Sequence, residues 1–213
     1  MPGQQLQTTG FVLAKQPSGS DSFEQVTVFA ADHGVLPCLQ RQPKTANSAK
    51  RSTGAGPLGS LDLFDETELW LESSNQGRTW FIKEHRLIHR HDGIGRSYEA
   101  LRAAAALGTL LARNPVPDES REEVSALVRT TFAALAGGGR PDIVWLKALY
   151  CLLRDEGYPV KQQWWPQLPE ADRDIAAKLI NQPLAGQTTD TAAVARVTRR
   201  LEDWVRAETE IRL

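Results

Sequence analysis

Cysteine is nearly absent from this sequence. The 213 residues contain two, Cys38 and Cys151, in no paired motif. That excludes a disulfide scaffold and a four-thiolate zinc site within one chain. Two cysteines with apolar flanks suit a reducing compartment. No apolar run approaches the length that crosses a bilayer. Residues 1–10 are polar and lack the apolar core of a secretory signal. A cytoplasmic, membrane-free protein is expected. A large charge of one sign is also missing: the formal net charge is -1. Any site for a polyanion must then be a local patch. The sequence has no G-x-S-x-G, no H-E-x-x-H and no P-loop. Its carboxylates are scattered, and pairs such as Asp65-Glu66 and Asp155-Glu156 read as solvated ends of elements. No enzyme centre and no cofactor are expected.

What is present falls into two halves. Residues 9–15, with Phe11, Val12 and Leu13, read as a strand, and residues 16–21 carry turn chemistry. In residues 23–31, Val26 and Val28 alternate with Gln25, Thr27 and Phe29. Asp32-His33-Gly34 is a tight turn, and residues 35–40 are the returning strand of a hairpin. Residues 41–59 have no periodicity and read as a loop. Two longer strands are expected over 61–73 and 78–89. Five short strands with frequent turns suggest a closed barrel of the OB type, which hides its edges.

From Ile94 the period changes to about 3.6 residues, the helical value. Ile94, Tyr98, Leu101, Ala105 and Leu111 are expected on one buried face, in a helix that stops at Asn114-Pro115. Ser120-Arg121-Glu122-Glu123 has the form of a capping box. Val124, Leu127, Val128, Thr131 and Leu135 follow at helical spacing, up to Gly137-Gly138-Gly139. Pro141 opens a helix that is apolar almost all round over 143–153 and is expected to be central. Gly157 suits its C-terminal cap. Further helices are expected over 170–181 and from about Asp190. The expected fold is α+β: a five-stranded OB-type barrel in residues 1–91 and an all-helical domain in 92–213.

Several motifs invite chemistry. Gly54-Ala55-Gly56-Pro57-Leu58-Gly59 fits G-x-G-x-x-G, but a loop precedes it and a strand follows. Dinucleotide binding needs a preceding strand and a following helix N-terminus. His85, His89 and His91 cluster late in the fifth strand, where three imidazoles suit zinc or copper. The flanking Arg86, Arg90 and Arg96 disfavour a dication, so a solvated basic edge is expected and no metal. Trp164-Trp165 falls in an irregular stretch. Packing against the helical core is the expected role, with an exposed partner site as the alternative.

The basic residues are more informative. Residues 41–59 hold Arg41, Lys44, Lys50 and Arg51 and no acidic residue. Such a loop on a barrel neutralises phosphates without reading bases; its alternative is a solvated loop. Lys15, Arg78, Lys83 and Arg86 extend the candidate DNA-binding set. Phe23, Trp70 and Trp80 offer faces for base stacking, with barrel core as the competing role.

These features meet in a resemblance. Phe11-Val12-Leu13, with Val28-Phe29-Ala30-Ala31-Asp32-His33-Gly34-Val35, resembles the opening of the RecO family of recombination mediators. Ser48, Lys50, Arg51 and Ser52 resemble that family's basic, serine-rich loop. Leu61-Asp62-Leu63-Phe64 resembles its L-x-P-F strand start, with Leu63 in place of proline. The run from Lys147 through Leu152-Leu153 to Gly157-Tyr158-Pro159 resembles its R-F-E-L-x-L-L … G-Y-x-P helix. The resemblance covers most of residues 9–160.

It implies an OB barrel with a helical domain, binding of single- and double-stranded DNA, and annealing of complementary strands. It also implies loading of recombinase on DNA coated by single-stranded-DNA-binding protein, together with RecR and sometimes RecF. Nucleoid association follows. Lys147, with Arg154 and Tyr158, becomes the candidate partner site. Lys147 replaces the family arginine, and Ala148 and Leu149 replace its Phe-Glu. The alternative for Lys147 is the polar face of a core helix. Many members carry four zinc-binding cysteines after G-Y-x-P. Here residues 160–166 have none, and zinc is not carried over.

Overall fold

A computed structural model describes residues 3–19, 21–42, 61–73 and 75–213. The chain is α+β and divides into two units, Met1–Arg90 and His91–Leu213.

The first unit is five strands: β1 (Gln4–Pro17), β2 (Phe23–Ala30), β3 (Gly34–Arg41), β4 (Glu66–Ser73) and β5 (Trp80–His89). They close in the order β1-β2-β3-β5-β4, with β1 returning to β4. All neighbours are antiparallel except β3 and β5, which pair in parallel at Cys38↔Trp80 and Leu39↔Phe81. Alternation sets the two surfaces. Val26, Val28, Leu36, Cys38, Leu69, Leu71 and Trp80 point into one core. Phe23, Gln25, Pro37, Leu39 and Arg41 occupy the opposite parity on β2 and β3. β1 pairs with β2 through Gly10↔Ala30 and with β4 through Gly10↔Thr67. Gly10 is required there: a Cβ would stand 2.6 Å from the Phe29 carbonyl oxygen.

The fourth strand starts later than the sequence suggests, at Glu66 rather than Leu61. Residues 61–65 form a turn locked by Asp65. Its carboxylate accepts from the Asp62 N–H at 2.8 Å and from Arg90 through Nε at 3.0 Å and Nη2 at 2.8 Å. Phe64 takes a positive φ of 68° and donates its N–H to Val12 O at 2.8 Å. The apolar residues that look like strand, Leu61 and Phe64, are buried from this turn instead.

The second unit contains α1 (Tyr98–Arg113), α2 (Arg121–Ala136), α3 (Pro141–Asp155), a π-helical turn (Val160–Trp164), the short α4 (Trp165–Gln167), α5 (Glu170–Asn181) and α6 (Thr191–Glu208). Helix α3 is central, packing on α1, α2, α5 and α6. Tyr158 N–H bonds back to Leu153 O at 2.9 Å across Gly157, whose φ is +82°. This is the glycine cap that ends α3.

Two expectations are corrected. The buried face of α1 is Ala100, Ala103, Ala104, Leu107, Leu110 and Leu111, whereas Tyr98 is 74% and Leu101 38% exposed and Ala105 is exposed. The helix is so rich in alanine that two stripes look equally apolar, and the stripe that carries Leu107, Leu110 and Leu111 took the buried side. The capping box at Ser120 does not form. A 3-10 turn (Asp118–Ser120) leads directly into α2, so Ser120 already has helical dihedrals. Its hydroxyl donates to Pro117 O instead. Trp164, expected in irregular chain, sits in the π turn and is buried, as packing against the helical core requires.

Candidate nucleic-acid interface

The outer faces of β2 and β3 line a groove of about 450 Å³. Phe23 and Gln25 come from β2, Pro37 and Leu39 from β3, Thr79 from the turn before β5, and Pro17, Ser18 and Gly19 from the end of β1 and its turn. Ser18 Oγ donates to Phe23 O at 2.7 Å and fixes that turn against the strand it leads into. Phe81 lies beside Leu39 in register, and its ring meets Phe23 edge to face with centroids 5.8 Å apart. Both rings are half-buried.

The phenylalanines thus form a partly exposed apolar platform, the kind of surface on which a nucleobase stacks. Arg41 sits opposite Phe23 in register and is exposed; Arg78 precedes Thr79 and is exposed. Neither forms an ion pair among the described residues. Cys38 also borders the groove, but its thiol is turned to the core, and burial pushes it up to about 12, which removes thiolate chemistry.

The described ends of the basic stretch are Gln42 and Leu61. Gln42 N–H donates to Ser22 O at 3.0 Å. On the far side, Leu61 O accepts from Lys15 Nζ at 2.8 Å. Both stems of the stretch are therefore tied to the β1–β2 hairpin. Lys44, Lys50 and Arg51, and the glycine motif 54–59, lie outside the described residues.

The other expected DNA-binding cations are engaged within the barrel. Lys15 pairs with Glu24 at 2.9 Å. Lys83 pairs with Glu72 at 2.6 Å, and Arg86 Nε donates to Glu68 at 2.8 Å. The Glu68 carboxyl is held below its ordinary range, first by the hydrogen bond from Gln7 and then by Arg86. Lys15, Lys83 and Arg86 are therefore matched by carboxylates, whereas Arg41 and Arg78 beside the groove form no ion pair among the described residues. Trp80 is in the core; Trp70 is half-buried on the outer face of β4.

The histidines do not converge. His85 and His89 belong to β5, where a register shift between Glu66 and Thr67 alters the alternation. His91 is buried in the helical unit with its ring 5.7 Å from Phe132. Among the described residues no three His, Cys, Asp or Glu side chains are placed to hold a metal ion.

On α3, Lys147, Cys151 and Arg154 follow at i, i+4 and i+7 and share one face. Lys147 Nζ donates to Gln182 O at 2.6 Å, and Arg154 grips Asp155 through Nε at 2.6 Å and Nη2 at 3.0 Å. Tyr158 donates its hydroxyl to Glu210 at 2.7 Å. Burial and that bond raise its phenol to about 12. Lys147 and Arg154 thus share a surface, while Tyr158 serves as a tether for the C-terminal segment.

Leu39 and Thr79 in the groove, and Phe81 beside it, are residues that sequence reasoning missed. The signal for Leu39 and Phe81 was their parity: each stands one position from a core residue on its strand. No family model matches the chain. No curated protein matches it either.

Among the described residues no helix is long and apolar enough to cross a membrane.

Proposed function

We propose that the first unit is an OB-type barrel that binds single-stranded nucleic acid in the groove over β2 and β3. Five strands ordered β1-β2-β3-β5-β4 suit that fold, whose β2–β3 face and adjoining loops bind oligonucleotides. One observation carries the reading: the Phe23–Phe81 platform is flanked by exposed Arg41 and Arg78, and Arg41 opens an acid-free basic stretch. Stacking holds bases without choosing among them, and arginines and lysines neutralise phosphates. Strand binding of that kind, together with the RecO-like order of motifs, supports a recombination mediator in DNA repair. Its activity is to anneal complementary strands and to help load recombinase with RecR and RecF on DNA coated by single-stranded-DNA-binding protein. The chain acts without a cofactor and without catalysis, in the cytoplasm at the nucleoid.

The test is a titration of labelled oligothymidylate at two salt concentrations, with an annealing assay on the same sample. Affinity falls steeply with salt if phosphates are neutralised. Absence of binding at low salt, or binding indifferent to salt, sinks the reading. The ion pairs of Lys15, Lys83 and Arg86 favour a second reading, a protein-interaction module that has lost DNA binding. The exposed face of Lys147 and Arg154 is then its contact surface. Retention of RecR or single-stranded-DNA-binding protein in a pull-down, with no DNA shift, selects it.

A further inference from the structure

The first ten residues of α6 hold three arginines, Arg196, Arg199 and Arg200, and no acid. Arg196 and Arg200 are one helical turn apart and share a face, about 6 Å apart along the axis. One buried carboxylate braces both. Asp172 of α5, with a side chain only 5% exposed, receives Arg196 Nε on Oδ1 at 2.9 Å and stands 2.9 Å from Arg200 Nε through Oδ2. Both contacts use Nε, and no hydrogen bond engages the terminal Nη groups of either arginine among the described residues. The two side chains are 49% and 44% exposed. They are thus a pair of guanidinium forks, already ordered, with their outer donors facing solvent. Two charges share one counter-charge, so the trio keeps a net positive charge. The acids farther along α6 are occupied: Asp203 pairs with Arg206 at 3.0 Å, and Glu202 accepts from the Trp145 indole at 2.9 Å.

A second observation lies beside them. Arg200 borders a cleft of about 290 Å³ with Trp164, Leu168 and Trp204. The indole N–H groups of Trp164 and Trp204 are buried and have no acceptor among the described residues. A buried donor without a partner costs about 1–3 kcal/mol, and both donors belong to residues that line this cleft. Asp203 and Glu208 also line the cleft and disfavour a dianion. A singly charged oxyanion on a bulky body fits best.

We infer that Arg196 and Arg200, braced by Asp172, form a phosphodiester-binding site on the helical unit, separate from the barrel groove. The nucleic-acid strand as its source rests on the function proposed above. Preorganisation is what separates this pair from ordinary surface arginines: the carboxylate has already removed the side-chain freedom that phosphate binding would otherwise have to freeze.

Two measurements test it on the full chain. Dimethyl phosphate, a lone phosphodiester, is titrated while the arginine Nε–H groups are followed by heteronuclear NMR. The Arg196 and Arg200 signals are expected to move together and saturate. Signals that stay fixed overturn the site, whatever the barrel does. In parallel, oligothymidylate binding is measured against salt for Arg196→Ala/Arg200→Ala. Loss of two phosphate contacts makes the slope of log K against log salt shallower by about 1.4 for a single strand. An unchanged slope overturns the site. Removing both arginines strands Asp172, so the triple variant Asp172→Asn, Arg196→Gln, Arg200→Gln serves as the neutral, shape-preserving comparison and is expected to give the same shallower slope. If the unchanged chain ignores DNA at low salt while dimethyl phosphate still moves both signals, the strand-binding function fails and the phosphodiester site stands.

Discussion

Phe23 and Phe81 meet edge to face across β3, 5.8 Å apart between centroids, on the outside of a barrel whose interior is already filled. An aromatic pair on an outer surface is not needed to close the core. Its open faces instead define where a base would lie. Replacing either ring by alanine is expected to weaken oligothymidylate binding by about 1–3 kcal/mol, the usual contribution of one base–aromatic stack. The loss should depend little on base identity. Fluorescence titration with homopolymeric oligonucleotides measures it, and thermal unfolding checks that the half-buried rings were not holding the barrel together. Unaltered affinity in both variants removes the platform from the site.

The cations of the barrel should divide into two classes. Arg41 and Arg78 are exposed and form no ion pair among the described residues, so each substitution to alanine is expected to make the salt slope shallower by about 0.7. Lys83 and Arg86 already have Glu72 and Glu68, and their alanine variants should leave the slope nearly unchanged. Equal effects in both classes would mean that phosphate displaces the carboxylates, and the groove would lose its priority over the β4–β5 face.

Asp65 has a side chain with no exposure, and Arg90 holds it with two bonds. Arg90→Ala leaves a buried carboxylate with only the Asp62 N–H for support. A cost of about 3 kcal/mol is expected, as for other buried pairs broken from one side. Urea unfolding followed by tryptophan fluorescence measures it. Asp65 also locks the turn that leads into β4, so DNA affinity should fall together with stability. A variant as stable as the parent would show that solvent reaches the carboxylate.

Which parts of this were legible beforehand follows from which residues had competitors. Strands β2 and β3 were plain, because Val26 and Val28 alternate with Gln25 and Thr27, both runs are rich in β-formers, and one tight turn joins them. The start of β4 was not, because Leu61, Leu63 and Phe64 look like strand; only the bonds from Asp65 and Val12 show that they belong to a turn. On α1 the surplus of alanine erased the difference between faces. The capping box failed because a preceding 3-10 turn, invisible to a four-residue motif, had already made Ser120 helical. For the site, charge was readable but pairing was not. Lys15, Lys83 and Arg86 are basic in sequence and matched to Glu24, Glu72 and Glu68 in space. Phe81 and Leu39 were hidden for the opposite reason: an outward apolar residue looks like core until the partner strand's register is known.

The C-terminal segment should release in alkali through Tyr158. Burial first, and then the hydrogen bond donated to Glu210, raise this phenol to about 12, so folding favours its neutral form. Its contribution is therefore complete at any pH below the ordinary tyrosine range. It is lost as pH rises from there through about 12. Glu210 is depressed by the same bond, so its own share is lost in acid instead, as pH falls through the carboxylate range. Tyr158→Phe keeps the ring and deletes the bond. It should flatten the alkaline limb of stability against pH and increase amide exchange over residues 209–213, while the core helices stay protected. An alkaline limb identical in the variant would place the titration elsewhere, with Tyr150, whose phenol burial also raises, as the group to replace next.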